Sequence, residues 1–369
     1  MRTWWRGRRL YVIGAAVVVV AAGVVVPVML AESEKPCWSA PESVTRLADD
    51  PAAATRALDP GEDLSRLDAV TKILAHEELC DPAELGSVIE AATVSRPGAA
   101  HTHAQARAAY AVAGVYDDPE DAYDADSTMP SGLEPFVARM AVNYIVDVGR
   151  KDSLIDKATG PTEPGRDLVA EKFPHPQEAH VAFAYRRYES SIEGLVQNAA
   201  RNPEAFALLY DAELASLTHH LERVDPKSLL ITEDLGKKGR GGKPRKVLDY
   251  ATRWAVTYTA ERVGRLLGHR LSYARHGEIA DLGAFDREVR RHLKGEYRTA
   301  PELVRTRPVM GDIARRPAAA ELSDDVFDGR TRLLGVLDTW IASRAVPERT
   351  ATQLRNVVAD GYLQALRSL

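Results

Sequence analysis

VLDYATRWAVTYTAERVGRLLGHRLSYA (Val247–Ala274) places apolar residues at helical spacing on more than one side. Val247, Ala251, Trp254 and Tyr258 form one stripe; Val256, Ala260, Val263, Leu267 and Leu271 form another. A helix apolar nearly all round is usually central to a bundle, so this stretch predicts a long central helix. The same periodicity recurs outward in both directions, and no stretch shows the sustained β-branched alternation of strands. The fold class expected is all-α.

Toward the N-terminus, Pro203 to about Arg223 and Pro176 to about Ala200 read as long helices, the first opened by Asn202 before its proline. Leu133–Val148 reads as a single helix with Phe136, Val137, Met140, Tyr144 and Val148 on one side. Asp50-Pro51 and Asp81-Pro82 open shorter helices, with further helices over Glu42–Ala48, Leu64–Leu74 and about His101 to Val115. Toward the C-terminus, helices are expected near 278–293, 320–344 and 347–368. Residues 149–175 hold Pro161, Pro164 and Pro174 with little apolar content, and mark a boundary or long surface loop. The organisation predicted is a basic tail (1–9), a transmembrane helix (10–31), a linker (32–41), and helical subdomains over 42–150 and 176–369.

The leader sets the compartment. Arg2, Arg6, Arg8 and Arg9 precede a run from Leu10 to Ala31 that carries no formal charge. About 20 apolar residues cross a bilayer as a helix. The arginines orient it with the N-terminus cytoplasmic, leaving the rest single-pass and extracytoplasmic at the cell membrane. A cleaved signal peptide shares the same charged and apolar regions. Met29 at the third position before a cut after Ala31, Pro27 and the length of the run favour a retained signal anchor, as do Trp4, Trp5 and Tyr11 at the interface.

Among 369 residues the formal net charge is −5, and setting aside the four leader arginines makes it −9. An acidic ectodomain of this kind is not a general binder of nucleic acid. The two cysteines, Cys37 and Cys80, are expected to pair outside the membrane, tying the juxtamembrane segment to the first helical layer; two unpaired thiols are the alternative.

Six cations, Lys237, Lys238, Arg240, Lys243, Arg245 and Lys246, crowd a glycine-rich loop expected between two helices. Gly242-Lys243 is followed by Pro244 where a phosphate-binding loop needs Ser or Thr, so nucleotide binding is rejected. The loop reads as a contact for anionic headgroups or an anionic wall polymer, at about 1 kcal/mol per cation near such a surface, or as a solvated flexible connection.

No arrangement of ionisable residues reaches a catalytic or metal-binding pattern, and no cofactor is expected. His101 and His103 are two apart and point to different sides of a helix. His219, His220 and Glu222 read as the cation-rich end of a helix, with no third metal ligand evident. His269, Tyr273 and His276 read as a solvated face among arginines. Glu189 and Glu193 are the only carboxylates to nominate for a wall-acting hydrolase, and with Arg186 they read as helix-border ion pairs. Asp117, Asp118, Glu120, Asp121, Asp124 and Asp126 miss the EF-hand pattern, because Met129 falls where Gly is needed and Pro135 where Glu is needed. That acidic turn is the contact a toxin-associated or immunity-like partner would use.

Several segments, in order, resemble one actinobacterial all-helical domain family of unknown function. They are DDPAAATRALDP (Asp49–Pro60), ELGSVIEAAT (Glu84–Thr93), MPSGLEPFVARMAVNYIVDV (Met129–Val148), RNPEAFALLYDAE (Arg201–Glu213) and RVGRLLGHRLSYA (Arg262–Ala274). That family occurs in large proteins with WXG-type helical hairpins, linked to type VII secretion. The resemblance implies an all-α, envelope or secretion-associated protein and no catalytic residues. This chain differs in opening with an anchor where those proteins carry a hairpin. The function expected is a non-enzymatic, membrane-anchored interaction or scaffold protein contacting the lipid bilayer and an envelope protein or wall polymer.

Overall fold

Aspartates and one asparagine start many of the helices. Asp50 lies in extended backbone, and its carboxylate accepts from the amides of Ala52 and Ala53, 3.1 Å each. Asp81 does the same for Ala83, and Asn202 for Glu204 and Ala205, each ahead of a proline whose missing N–H costs nothing in the first turn. Asp249, Asp281 and Asp328 cap later helices without the proline.

The computed structural model describes residues 37–116, 129–149, 162–163, 177–181, 183, 192–233, 245–299 and 308–367. The first of these hold α1 (Glu42–Thr45), α2 (Pro51–Leu58), α3 (Leu67–Leu74), α4 (Pro82–Thr93) and α5 (His103–Tyr116). Then come α6 (Glu134–Asn143), α7 (Ile145–Val148), and the two-residue antiparallel strands β1 (Thr162–Glu163) and β2 (His180–Val181). They are followed by α8 (Glu193–Ala199), α9 (Pro203–Arg223), and strands β3 (Leu230–Glu233) and β4 (Arg245–Leu248). The chain continues with α10 (Tyr250–His276), α11 (Leu282–His292), α12 (Met310–Arg315), α13 (Gly329–Arg344) and α14 (Glu348–Arg367). The all-α class holds, with two short antiparallel strand pairs added among the described residues.

Residues 37–369 form one compact unit. Helices from 42–150 and from 176–369 share one hydrophobic core: α2 packs on α4 and α5, α4 on α6, and α6 on α9. Arg139 fastens this seam, donating to Glu90 of α4 (2.8 Å) and Glu204 of α9 (2.7 Å). The centre is α9, buried almost throughout from Ala205 to Glu222 and touched by α10, α11, α12 and α13. This corrects the expectation for Val247–Ala274. Val247 and Leu248 belong to β4, and α10 lies at the side, with Tyr250, Arg253 and Leu271 exposed. Its inner face packs along α14, where Gly264 and Gly361 let the backbones meet. A Cβ on Gly361 would stand 2.8 Å from the Thr257 carbonyl oxygen, and one on Gly264 2.9 Å from that of Tyr362.

Three further elements differ from the sequence reading. The helix expected over Leu133–Val148 breaks at Tyr144 (φ −104°, ψ 31°), dividing α6 from α7. The helix expected from Pro176 gives way at His180–Val181 to β2, because Asp147 takes the Val181 amide at 2.9 Å and Thr162–Glu163 pairs alongside. The stretch 320–328 is not helical, and α13 starts only where Asp328 caps Thr331.

Among the described residues no helix is long and apolar enough to cross a membrane. The leader Leu10–Ala31 and Arg2, Arg6, Arg8 and Arg9 lie outside the described residues.

Candidate functional site

Cys37 and Cys80 form a disulfide, with Cα atoms 5.0 Å apart. The neighbouring backbone holds the same register: Trp38 donates to Glu78 and Cys80 donates to Trp38, each at 2.9 Å. The Trp38 ring stacks on His76 at 3.7 Å. The first described residue is thereby fastened beside the cap of α4.

The end of the basic stretch is strand, not a connection running straight into a helix. Arg245 and Lys246 begin β4, which pairs antiparallel with β3: Lys246 faces Thr232 and Arg245 faces Glu233 in register. Lys246 is exposed. Lys237, Lys238, Arg240 and Lys243, with the side chain of Arg245, lie outside the described residues. So do Glu189, the side chain of Glu193, and the acidic turn from Asp117 to Asp126.

Inside the bundle, two histidine–carboxylate pairs stand at one seam. His101 Nδ1 lies 2.5 Å from Glu178, whose carboxylate also accepts from the His101 amide (2.8 Å) and the Met310 amide (3.0 Å). His180 Nδ1 lies 2.7 Å from Asp147. Tyr144 sits against His101, ring centroids 4.1 Å apart, and meets Phe183 edge-on. All five polar side chains are buried, and His101 Nε2 and the Tyr144 hydroxyl have no hydrogen-bond partner among the described residues. Burial first, then Asp147 and Glu178, push the Tyr144 phenol well above its ordinary value, so it stays neutral. A carboxylate on Nδ1 orients an imidazole as a base would need. Neither described cleft, however, is lined by any of these residues. The arrangement joins the turn before α5, helix α7, strand β2 and the start of α12 through buried hydrogen bonds. Sequence reading placed His101 and His103 on different sides and did so correctly, since His103 is exposed. The partners of His101, Glu178 and Tyr144, are 77 and 43 residues away along the chain, beyond any local spacing rule.

A second interior polar group corrects the reading of His219, His220 and Glu222 as an ordinary cation-rich helix end. All three are buried. Burial, then Arg223, Arg316 and His220, push His219 down to about 3, so it is neutral at physiological pH. Glu222 takes a bidentate pair from Arg316 (2.6 and 3.1 Å), and the Glu222 carbonyl accepts from Arg344. Two turns earlier in α9, burial pushes Asp211 up to about 6, against the Lys294 amide (2.8 Å) and the charges of Lys294 and Arg332. His269, read as solvated, lines a cavity of about 90 Å³ with Arg262, Arg265 and Gln197, while Tyr273 is buried and donates to the Gln197 carbonyl at 3.0 Å. Among the described residues no group of three or more His, Cys, Asp or Glu is placed to hold a metal ion.

The open site is on α10. Tyr250, Trp254 and Tyr258 recur every four residues and form a ladder, with centroids 5.3 and 4.1 Å apart. They line a cleft of about 710 Å³ with Arg253, Thr257, Glu261 and Arg265, closed on one side by Gln364 and Ala365 of α14. Tyr250 is 67% exposed, the most exposed large hydrophobic residue described. The spacing i, i+4, i+8 was visible in the sequence, but Trp254 and Tyr258 were assigned with Val247 and Ala251 to a core stripe. The ladder starts two residues after β4, so the aromatic cleft follows directly from the basic hairpin.

No protein-family model matches the chain, and neither curated proteins nor solved structures give a match. The class defined by the fold is therefore a disulfide-braced, predominantly helical protein whose described residues include an aromatic cleft two residues after a short strand pair.

Proposed function

We propose that this chain is a non-enzymatic interaction protein, anchored by Leu10–Ala31 in the cytoplasmic membrane of a bacterial envelope and working at its outer face. The Cys37–Cys80 disulfide carries the reading, because such bridges persist in oxidising compartments and the first cysteine follows the leader within six residues. The contact surface is the β3–β4 hairpin with its six cations, directed to anionic headgroups or an anionic wall polymer. The aromatic cleft on α10 adjoins it. The buried histidine–carboxylate pairs serve as braces in this reading, and catalysis is not assigned to them. The resemblance to secretion-associated helical domains agrees with an envelope role.

Two measurements test it. Fractionation should find the full-length chain in membranes, with both cysteines blocked to thiol reagents until reduction; a soluble cytosolic chain would overturn the reading. Replacing the six hairpin cations with serine should abolish sedimentation with anionic vesicles and with purified wall. Unchanged sedimentation of both would remove the hairpin from the function.

A further inference from the structure

From the strap Leu293–Tyr297, which leaves the end of α11 and lies against α9, we infer a proton-operated latch, closed while the Asp211 carboxyl keeps its proton and loosened when that carboxyl ionises. Such a latch depends on neither the anchor nor the compartment. The strap begins where Leu293 turns extended at the end of α11. Gly295 follows at φ +130°, where a Cβ would stand 2.4 Å from the Ala320 carbonyl oxygen. The strap can therefore lie on the backbone of residues 318–320. The Glu296 amide donates to Ala320 at 3.0 Å, and the Glu296 carbonyl accepts from Ala319 at 2.8 Å. Arg332 of α13 donates to the Gly295 carbonyl at 3.1 Å, and the Lys294 amine to the Ala314 carbonyl at 2.9 Å. Toward α9, the strap gives the Lys294 amide to Asp211 at 2.8 Å.

That last fastening ends on a group ill suited to carry charge. Asp211 is 3% exposed, and its Oδ1 has no hydrogen-bond partner among the described residues; neither has the hydroxyl of buried Tyr297. A buried carboxylate with an unpaired oxygen is costly to ionise. Lys294 and Tyr297 act on it from the strap, Arg332 from α13 and Tyr210 from its own helix. The two cations do not offset the burial, because the Lys294 amine is turned to Ala314 and the Arg332 guanidinium to Gly295 and Glu296. Arg316 reaches Tyr297 but is committed to Glu222, and Arg315 of α12 is committed to Asp312. On α10, Arg262 pairs with Glu213 and Arg270 with Asp286. Burial therefore prevails and pushes Asp211 up to about 6. Lys294 is exposed, so solvent begins at the strap, and lifting the strap hydrates the carboxylate. The closed form is fully favoured below about pH 4 and loses that advantage as pH rises through 6.

The experiment is amide hydrogen exchange on the full-length protein in nanodiscs at pH 5 and pH 7.5, each rate divided by the intrinsic rate at that pH. Amides of residues 293–297 should open about tenfold more often at pH 7.5, as a carboxyl near 6 when closed and 3.8 when open requires. Val88 and Ile89 in α4, both fully buried, should show no such ratio. Asp211→Asn keeps an acceptor for the Lys294 amide and should erase the pH dependence of the strap. Should that variant not fold, a carbon-13 titration of the Asp211 carboxyl in the parent should share its midpoint with the change in strap exchange. A strap that opens equally at both pH values, a ratio that survives Asp211→Asn, the same ratio in α4, or midpoints that differ would each overturn the inference.

Discussion

At the scale of single residues, burial decides chemistry more than sequence spacing does. Asp211 shows this through its pH linkage. Its folded-state value lies near 6, above the ordinary 3.8, so the stability it confers when protonated is fully present below about pH 4 and is lost as pH rises through 6. Two units correspond to a change of about 3 kcal/mol. Relative to the parent, Asp211→Asn should therefore gain stability between pH 4 and pH 7, read as a rising difference in urea midpoint; a difference that stays flat with pH would contradict the assignment. Glu178 matters through its hydrogen bonds. It takes three hydrogen bonds from His101, just before α5, and Met310 of α12, and Glu178→Ala would strand the His101 ring and the Met310 amide without an acceptor. Leaving a buried donor without its acceptor typically costs about 1–3 kcal/mol, and chemical denaturation should read a loss of at least that order.

Between elements, the α10–α14 contact depends on two missing side chains. Gly361→Val would drive a Cβ against the Thr257 carbonyl and force the helices apart, at a cost of about 1–3 kcal/mol for overpacking. Gly335, exposed in α13 with open space at its Cβ position, is the control. Gly335→Ala should stabilise by about 0.5–1 kcal/mol, since alanine loses less backbone freedom on entering a helix. Thermal melts of the two variants should move in opposite directions. The break at Tyr144 belongs to the same scale. It lets α7 depart from the axis of α6, and both flanks of the break contribute to the histidine seam: Tyr144 meets His101, and Asp147 meets His180.

For the molecule as a whole, the disulfide closes a loop of 43 residues in the unfolded chain. On the chain-entropy model that contributes about 3–4 kcal/mol. Reduction, or the double substitution Cys37→Ser with Cys80→Ser, should lower the unfolding free energy by up to that amount while helical content at 25 °C stays near that of the parent. An unaltered melting temperature after reduction would mean that this end of the chain contributes nothing to global stability. Loss of the bridge when intact cells meet a membrane-impermeant reductant would test the proposed outer-face location independently of fractionation.

Local signals carried much of the secondary structure. Asp50-Pro51, Asp81-Pro82 and Asn202-Pro203 announced α2, α4 and α9, because a capping side chain and a proline act on the amides within one turn of themselves. Apolar spacing established a helical protein, and the only two cysteines, Cys37 and Cys80, foretold their own pairing. Distance along the chain hid the rest. That α9 and not α10 lies at the centre, that Arg245–Leu248 pairs with Leu230–Glu233, and that His101 meets Glu178 all depend on which surfaces meet after collapse. The aromatic ladder makes the same point from the other side. Its residues are hydrophobic and helically spaced, as core residues are, and only the position of α14 determines that Tyr250, Trp254 and Tyr258 border an open cleft, since a helical stripe does not encode what will cover it.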